Sequence, residues 1–224
     1  MMGEEPSAPR KLRTDGAQAR ERTLSAALKL FVAKGYHITS VRDIAAEAGV
    51  NSAAIRYYFG DKAGLYRAAL YEPVQPHLDN DSEPFDAPGI AIEEALRRFT
   101  LKRLLPLSGG DDILLSVRLR MRETFEPTGL LDDERFKVEQ EQRLLAVLAR
   151  ALALPQPDQE LVALGIAIRA LTTHLYLGRE HICKTSPALL STPEAIDGWA
   201  LRLTSYACAM VTAERARRLS LVKT

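Results

Sequence analysis

The sequence predicts an all-α fold: an N-terminal three-helix head containing a helix-turn-helix, followed by a larger helical domain. Three observations carry this expectation. Ala, Leu and Arg are abundant while aromatics make up only 6% of the 224 residues, a balance that favours helix over sheet. Apolar residues recur at three- and four-residue spacings along the chain. The stretch Thr39 to Lys62, TSVRDIAAEAGVNSAAIRYYFGDK, reads as two short helices joined by a glycine turn.

The elements follow in order. A first helix from about Ala17 to Ala33 turns Leu24, Leu28, Phe31 and Val32 inward and stops at Gly35. Ser40 with Asp43 three residues on forms a capping box for a second helix, and Thr39 is an alternative cap. Val41, Ile44, Ala45 and Ala48 then make one apolar stripe. Gly49 suits a left-handed turn, Val50 drops inward, and Asn51 caps the third helix. There Ile55 and Phe59, one turn apart, face the stripe and leave Ser52, Ala53, Arg56 and Tyr57 on other faces. Gly60 ends this helix and Asp61 caps the next, with Lys62 in its first turn. A cation at a helix start opposes the macrodipole, so Lys62 points to an external anion such as a phosphate.

Two helices at such a turn let one brace on a DNA backbone while the other lies in the major groove. The candidate contacts are Thr39, Ser40, Ser52, Ala53, Arg56, Tyr57, Tyr58 and Lys62. Charge agrees with this placement. Residues 1–70 carry eleven Lys and Arg against seven Asp and Glu, and residues 71–224 carry nineteen against twenty-two, so the overall +1 hides a basic head. Residues 1–16, with Arg10, Lys11 and Arg13, form a flexible basic arm that serves either DNA or solubility. The DNA-binding domain is placed at 17–60 and the second domain at 61–224.

In that second domain a helix from Asp61 runs towards Pro73, and the acidic stretch Asn80 to Pro88 reads as a loop. Helices are expected at Ile90 to Leu105, Ile113 to Phe125 and Leu130 to Leu154. On the Ile113–Phe125 helix, Leu114, Val117, Met121 and Phe125 share a side, with Arg118 and Arg122 at its edge. Arg118, Met121, Arg122, Phe125 and His174 are therefore candidate contacts for a small-molecule effector. Arginines at such an edge also simply pair with Glu123 or neighbouring acids. Gln159 to Gly178 is apolar around nearly its whole circumference and needs cover on several sides. With the last helix, Glu194 to Leu219, it forms the expected four-helix homodimer interface through Leu164, Ile168, Leu171, Leu175, Trp199, Leu203, Tyr206 and Met210, aided by Gly165, Ala167 and Ala170.

The order Leu24, Ala27, Phe31, Gly35, Thr39, Val41, Ile44, Ala45, Ala48, Gly49, Val50, Ile55, Tyr57, Phe59, Lys62, Leu65 resembles the head of the TetR family of transcriptional regulators. Arg56 departs from the residue more common at its position there. Arg122-Glu123, Pro127-Thr128 and the run Leu177 to Glu180 resemble a TetR subgroup with a CerR-type C-terminal domain. The resemblance implies a ligand-responsive regulator, a repressor released by a small molecule from near-palindromic double-stranded operator DNA.

The competing class is a helical enzyme or metal-binding protein using His174, His181 and Cys183, the two histidines being placed to share a helix face. No HExxH, CxxC, GxSxG or phosphate-cradling glycine loop accompanies them, and the sequence calls for no catalytic residue, metal or cofactor. Cys183 and Cys208 read as reduced thiols. No run of about 18 apolar residues and no signal-peptide core is evident, so no membrane partner and a cytoplasmic location are expected.

Overall fold

The computed structural model describes residues 10–78, 83–131 and 134–221, and among them there is no strand. Of the expected arm, residues 1–9 lie outside the described residues, whereas Arg10 to Gly16 form the first turns of α1, so that helix begins earlier than the expected Ala17. In chain order the helices are α1 (Arg10–Lys34), α2 (Val41–Ala48), α3 (Ser52–Phe59), α4 (Lys62–Tyr71), α5 (Gln75–Leu78), α6 (Ile92–Leu104), α7 (Asp111–Phe125), α8 (Glu134–Ala151), α9 (Gln159–Leu177), α10 (Arg179–Thr185) and α11 (Pro193–Leu221). Short 3-10 turns follow α6 and α10. The all-α architecture is as the sequence predicts.

The chain divides into two compact units, residues 1–75 with 111–130, and residues 76–110 with 131–224. This differs from the expected boundary at residue 60. The first unit keeps α4 because Leu65, Tyr66, Ala69 and Leu70 are buried there, and it takes in α7, which packs on α1 and α4. The head is thus built from two separated pieces of sequence.

Its core holds Leu28, Phe31, Ile44, Ile55, Leu65 and Tyr66, with Tyr66 meeting Phe31 and Tyr36 edge-on at 5.0 Å each. Polar clasps fix α7 within this unit. Ser25 donates to Asp112 at 3.0 Å, Ser116 to the Leu70 carbonyl at 2.9 Å, and Tyr66 to Glu123 at 2.6 Å. These partners correct the face assigned to α7. Its buried residues are Ser116, Leu119 and Glu123, whereas Phe125 is 72% exposed. Hydrophobicity alone set the expected stripe, and polar groups satisfied from α1 and α4 rotated it.

The second unit has its own core, with Leu96, Phe99, Leu144, Leu148, Leu161, Ile168, Ala207 and Val211 buried together. Asp158 caps α9 by accepting from the Leu161 amide at 2.8 Å and is gripped by Arg218 through both oxygens. Gly165 serves α8: a Cβ there would meet Leu145 at 3.1 Å, so its smallness permits packing inside the unit. Contrary to expectation, α9 is by length and composition long and apolar enough to cross a bilayer, because its two charged residues, Glu160 and Arg169, leave the mean hydropathy at 1.3. One third of it is buried within this chain.

Candidate nucleic-acid interface

Local sequence dictates the geometry of Thr39 to Lys62. Ser40 is the N-cap of α2, its hydroxyl accepting from the Asp43 amide at 3.1 Å while the Asp43 carboxylate accepts from the Ser40 amide, so the capping box is complete. Those bonds hold the Asp43 carboxyl below its ordinary pKa. Gly49 adopts φ 63° and ψ 40°, and the Val50 amide returns to the Ala45 carbonyl at 3.0 Å, which closes the turn. Asn51 caps α3 by accepting from the Ala53 amide at 2.9 Å. Ile55 is buried and Phe59 half-buried beneath the Arg20 guanidinium, 4.8 Å from its ring centre. Arg20 in turn forms a bidentate pair with Glu72, just past the end of α4.

With α3 pinned in this way, Ser52, Ala53, Arg56 and Tyr57 remain exposed on one face, Tyr57 to 83%. Ser40 is exposed just before the start of α2, and Tyr58 is half-buried against α1 near Gly16. Thr39 is different. It is 1% exposed, and its hydroxyl donates to the Gly35 carbonyl at 2.7 Å, so it locks the α1–α2 turn and is withdrawn as a candidate contact. Lys62 finds partners inside the head: its ammonium sits 4.3 Å above the Tyr36 ring and 3.5 Å from the His37 carbonyl. Partial burial lowers its pKa from the ordinary lysine value. These contacts offset the cost of a cation at the start of α4.

The expected effector residues are scattered. Arg118, Met121, Arg122 and Phe125 lie in the first unit and His174 in the second. Arg118 and Phe125 are exposed, and Met121 is half-buried. Arg122 pairs with Glu126 and donates to the Val32 carbonyl at 3.2 Å, capping the end of α1 under Gly35. Glu123 accepts from Tyr66 and from the Thr128 amide and hydroxyl. Arg122-Glu123 and Pro127-Thr128 are thus residues that hold α7 and its exit turn. Burial and the Glu123 bond together raise the Tyr66 pKa far above the ordinary tyrosine range.

The dimer assignment also needs correction. Leu164, Ile168, Leu175 and Leu203 are buried in the second unit's own core and offer no surface. Leu171, Trp199 and Met210 are partly buried, and Tyr206 is 47% exposed. The free stripe of α9 is Ala163, Ile166, Ala170, His174 and Leu177, and that of α11 is Leu201, Ser205, Ala209, Ala213 and Ala216. The expected helical phase is wrong because α9 is apolar on every side, so the pattern could not say which side the chain itself covers. His174 and His181 lie on different helices separated by Gly178, so they share no face. Among the described residues no group of three His, Cys, Asp or Glu gathers as a metal would need, and Cys183 and Cys208 are free thiols.

The second unit carries two polar features that the sequence reading missed. A cavity of about 330 Å³ is floored by Phe85, Leu104 and Ile196 and rimmed by Arg97, Arg98 and Asp197. Arg103 on α6 reaches to α9, donating to Thr172 at 2.7 Å and Thr173 at 3.3 Å. The arginine and the threonine pair are far apart in sequence, so only the packing of α6 on α9 brings them together.

A capped two-helix turn with one exposed helix face, carried on an all-helical chain, defines a helix-turn-helix protein. Residues 24–69 match the domain described as bacterial regulatory proteins, tetR family, and residues 92–213 match the C-terminal domain of the HTH-type transcriptional dual regulator CecR. The CecR protein of Shigella flexneri is 35% identical over 123 residues, which are 50% of this chain and 54% of that protein, so the match spans about half the length of that relative. Among solved structures, PfmR from Thermus thermophilus aligns with a TM-score of 0.57 at 20% identity, covering 85% of this chain and 97% of that one. NalD of Pseudomonas aeruginosa, the secondary repressor of the MexAB-OprM multidrug efflux pump, aligns at 0.52 and 20% identity over 88% and 97%. The chain belongs to the TetR family, and its C-terminal domain, expected above as CerR-type, is of the CecR type.

Proposed function

We propose that this chain is a ligand-responsive transcriptional regulator that binds duplex operator DNA as a homodimer and is released from it by a small molecule. The exposed face of α3, Ser52, Ala53, Arg56 and Tyr57 on a helix fixed at both ends by its caps, is the observation that carries the reading. Small residues at the start of α3 permit close approach to the groove. Arg56 and Tyr57 have the reach for base edges and phosphates. Ser40 is exposed at the start of α2, and its hydroxyl, which accepts from the Asp43 amide, keeps its own proton to donate to a phosphate.

The bare stripes of α9 and α11, rich in small and apolar residues, suit pairing with a second copy. That pairing would set two α3 helices about 34 Å apart, one turn of duplex, and favours a near-palindromic operator. Effector and operator would each favour a different spacing of the heads, so each weakens the other by the same factor. Repression is the sign we assign, by obstruction of polymerase. We read the protein as a cytoplasmic non-enzyme, α9 being a core and interface helix and not a membrane span.

Selection of bound fragments from a random DNA pool tests this directly. A near-palindrome with two half-sites is expected, and recovery of no preferred sequence would remove the reading.

A further inference from the structure

Among the described residues of the second unit, Arg103 is one of several arginines without a carboxylate partner, with Arg150, Arg179, Arg202 and Arg215, and it is set apart by spending its guanidinium between α6 and α9. In the second unit Arg97, Arg98, Arg143, Arg169, Arg217 and Arg218 each face a carboxylate. Arg103 faces none among the described residues: its guanidinium is given only two hydroxyl oxygens, and the charged group that bears on it is a second cation, Arg169. Both hydroxyls are already satisfied, since Thr172 and Thr173 each donate to the Arg169 carbonyl at 3.0 Å. A further α6–α9 bond is made without the guanidinium: Tyr176 donates its hydroxyl to the Arg103 backbone carbonyl. Burial depresses the Arg103 pKa, the expected cost of a cation held without a counter-charge. The residue as a whole is half-buried.

A guanidinium has five N–H donors in a planar fork. Arg103 commits its Nε firmly and one Nη2 hydrogen weakly, and Nη1 keeps its pair. Its Phe99 neighbour, 5.6 Å from the guanidinium carbon, supplies an apolar wall. Arg169 is balanced by Glu141 at 3.4 Å, leaving one net positive charge at this spot. That charge matches a carboxylate better than a phosphate dianion.

We propose that Arg103 is the anchor of the effector site and that the effector is a small organic carboxylate. This rests on the reading above that the second unit takes a ligand. Arg103 grips the anion by charge-assisted hydrogen bonds, and Thr172 and Thr173 hold the fork in place.

The test uses the full chain and Arg103→Met, titrated calorimetrically with benzoate, phenylacetate and octanoate, each against its own carboxamide. At least one acid should bind the wild type about tenfold or more tightly than its amide, and Arg103→Met should lose that preference. Without ligand, Arg103→Met should melt at or above the wild-type temperature, because an unmatched cation has been removed. The inference is overturned if the variant melts several degrees lower or fails to fold, which would make Arg103 a structural strut. It is equally overturned if no acid outbinds its amide. Operator release, measured separately, divides the two ideas. Arg103-dependent binding without release upholds the anion site and removes its effector role, whereas release by uncharged compounds that ignores Arg103 upholds the regulator and removes the anion site.

Discussion

Tyr66 of α4 donates its hydroxyl to the buried carboxylate of Glu123 on α7 across 2.6 Å, and so ties together two pieces of the first unit that lie 57 residues apart. The carboxylate also receives the amide and hydroxyl of Thr128, so one acid fixes α4, α7 and the turn beyond.

Replacing Tyr66 with Phe keeps the ring contacts to Phe31 and Tyr36 and removes one hydrogen bond to a charged acceptor. A loss of about 1.5 to 3 kcal/mol is expected in denaturant unfolding. The pH dependence follows from the raised Tyr66 pKa. A group whose folded pKa is raised stabilises fully below its unfolded value and loses that contribution above it. Stability should therefore hold up to about pH 10 and decline beyond, as the unfolded tyrosine ionises while the folded one does not. In Tyr66→Phe the decline should be shallower, and equal slopes in both proteins would reject the assignment.

Gly64 stands three residues after the Asp61 cap of α4, and a Cβ there would collide with the Phe59 carbonyl oxygen. Glycine to alanine inside a helix ordinarily stabilises by about 1 kcal/mol. Here the sign should reverse, with a loss of about 1 to 3 kcal/mol as the α3–α4 turn is forced apart. Thermal unfolding of Gly64→Ala decides it, and a higher melting temperature would show that the turn can yield.

The head was legible because its determinants are local. Ser40, Asp43, Gly49, Asn51 and Asp61 each act within a few residues of themselves, so spacing alone specified their caps and turns. Thr39 escaped because its partners, the Gly35 and Leu30 carbonyls, belong to the end of α1 and turn it inward. The face of α7 escaped for a related reason. Its buried polar residues, Ser116 and Glu123, look like surface until Leu70 and Tyr66 arrive from elsewhere in the chain. On α9, apolarity all round left the phase undetermined, and Arg103 needed α9 beside α6 to acquire meaning.

The DNA face gives contrasting expectations at adjacent positions. Tyr57→Ala should weaken operator binding across sequences while leaving its salt slope unchanged, because a neutral hydroxyl on a phosphate releases no counterion. Arg56→Ala should in addition relax preference at one base pair, at about 1 to 3 kcal/mol of discrimination. Thr39→Val should lower stability with an unchanged salt slope, because its hydroxyl is spent inside the head. Binding titrations on several sequences and at several salt concentrations, read beside thermal unfolding, separate the three, and identical behaviour of all three would dissolve the proposed interface.

The exposed stripes of α9 and α11 set the last expectation. Ile166 is 53% exposed and lies on the same face as Ala163 and Ala170, whereas Ile168, two residues on, is 2% exposed in the unit's own core. Placing Glu at Ile166 costs the isolated chain little, but in a paired interface it puts a charge against the apolar surface of the partner copy. Ile166→Glu should therefore run as a monomer in light scattering with its helical content intact, and should lose most of its operator affinity, because one head reads only half a site. Ile168→Ala should do the reverse: a cavity costing about 2 to 5 kcal/mol of stability while pairing at native temperature persists. A dimeric Ile166→Glu would move the interface away from this stripe.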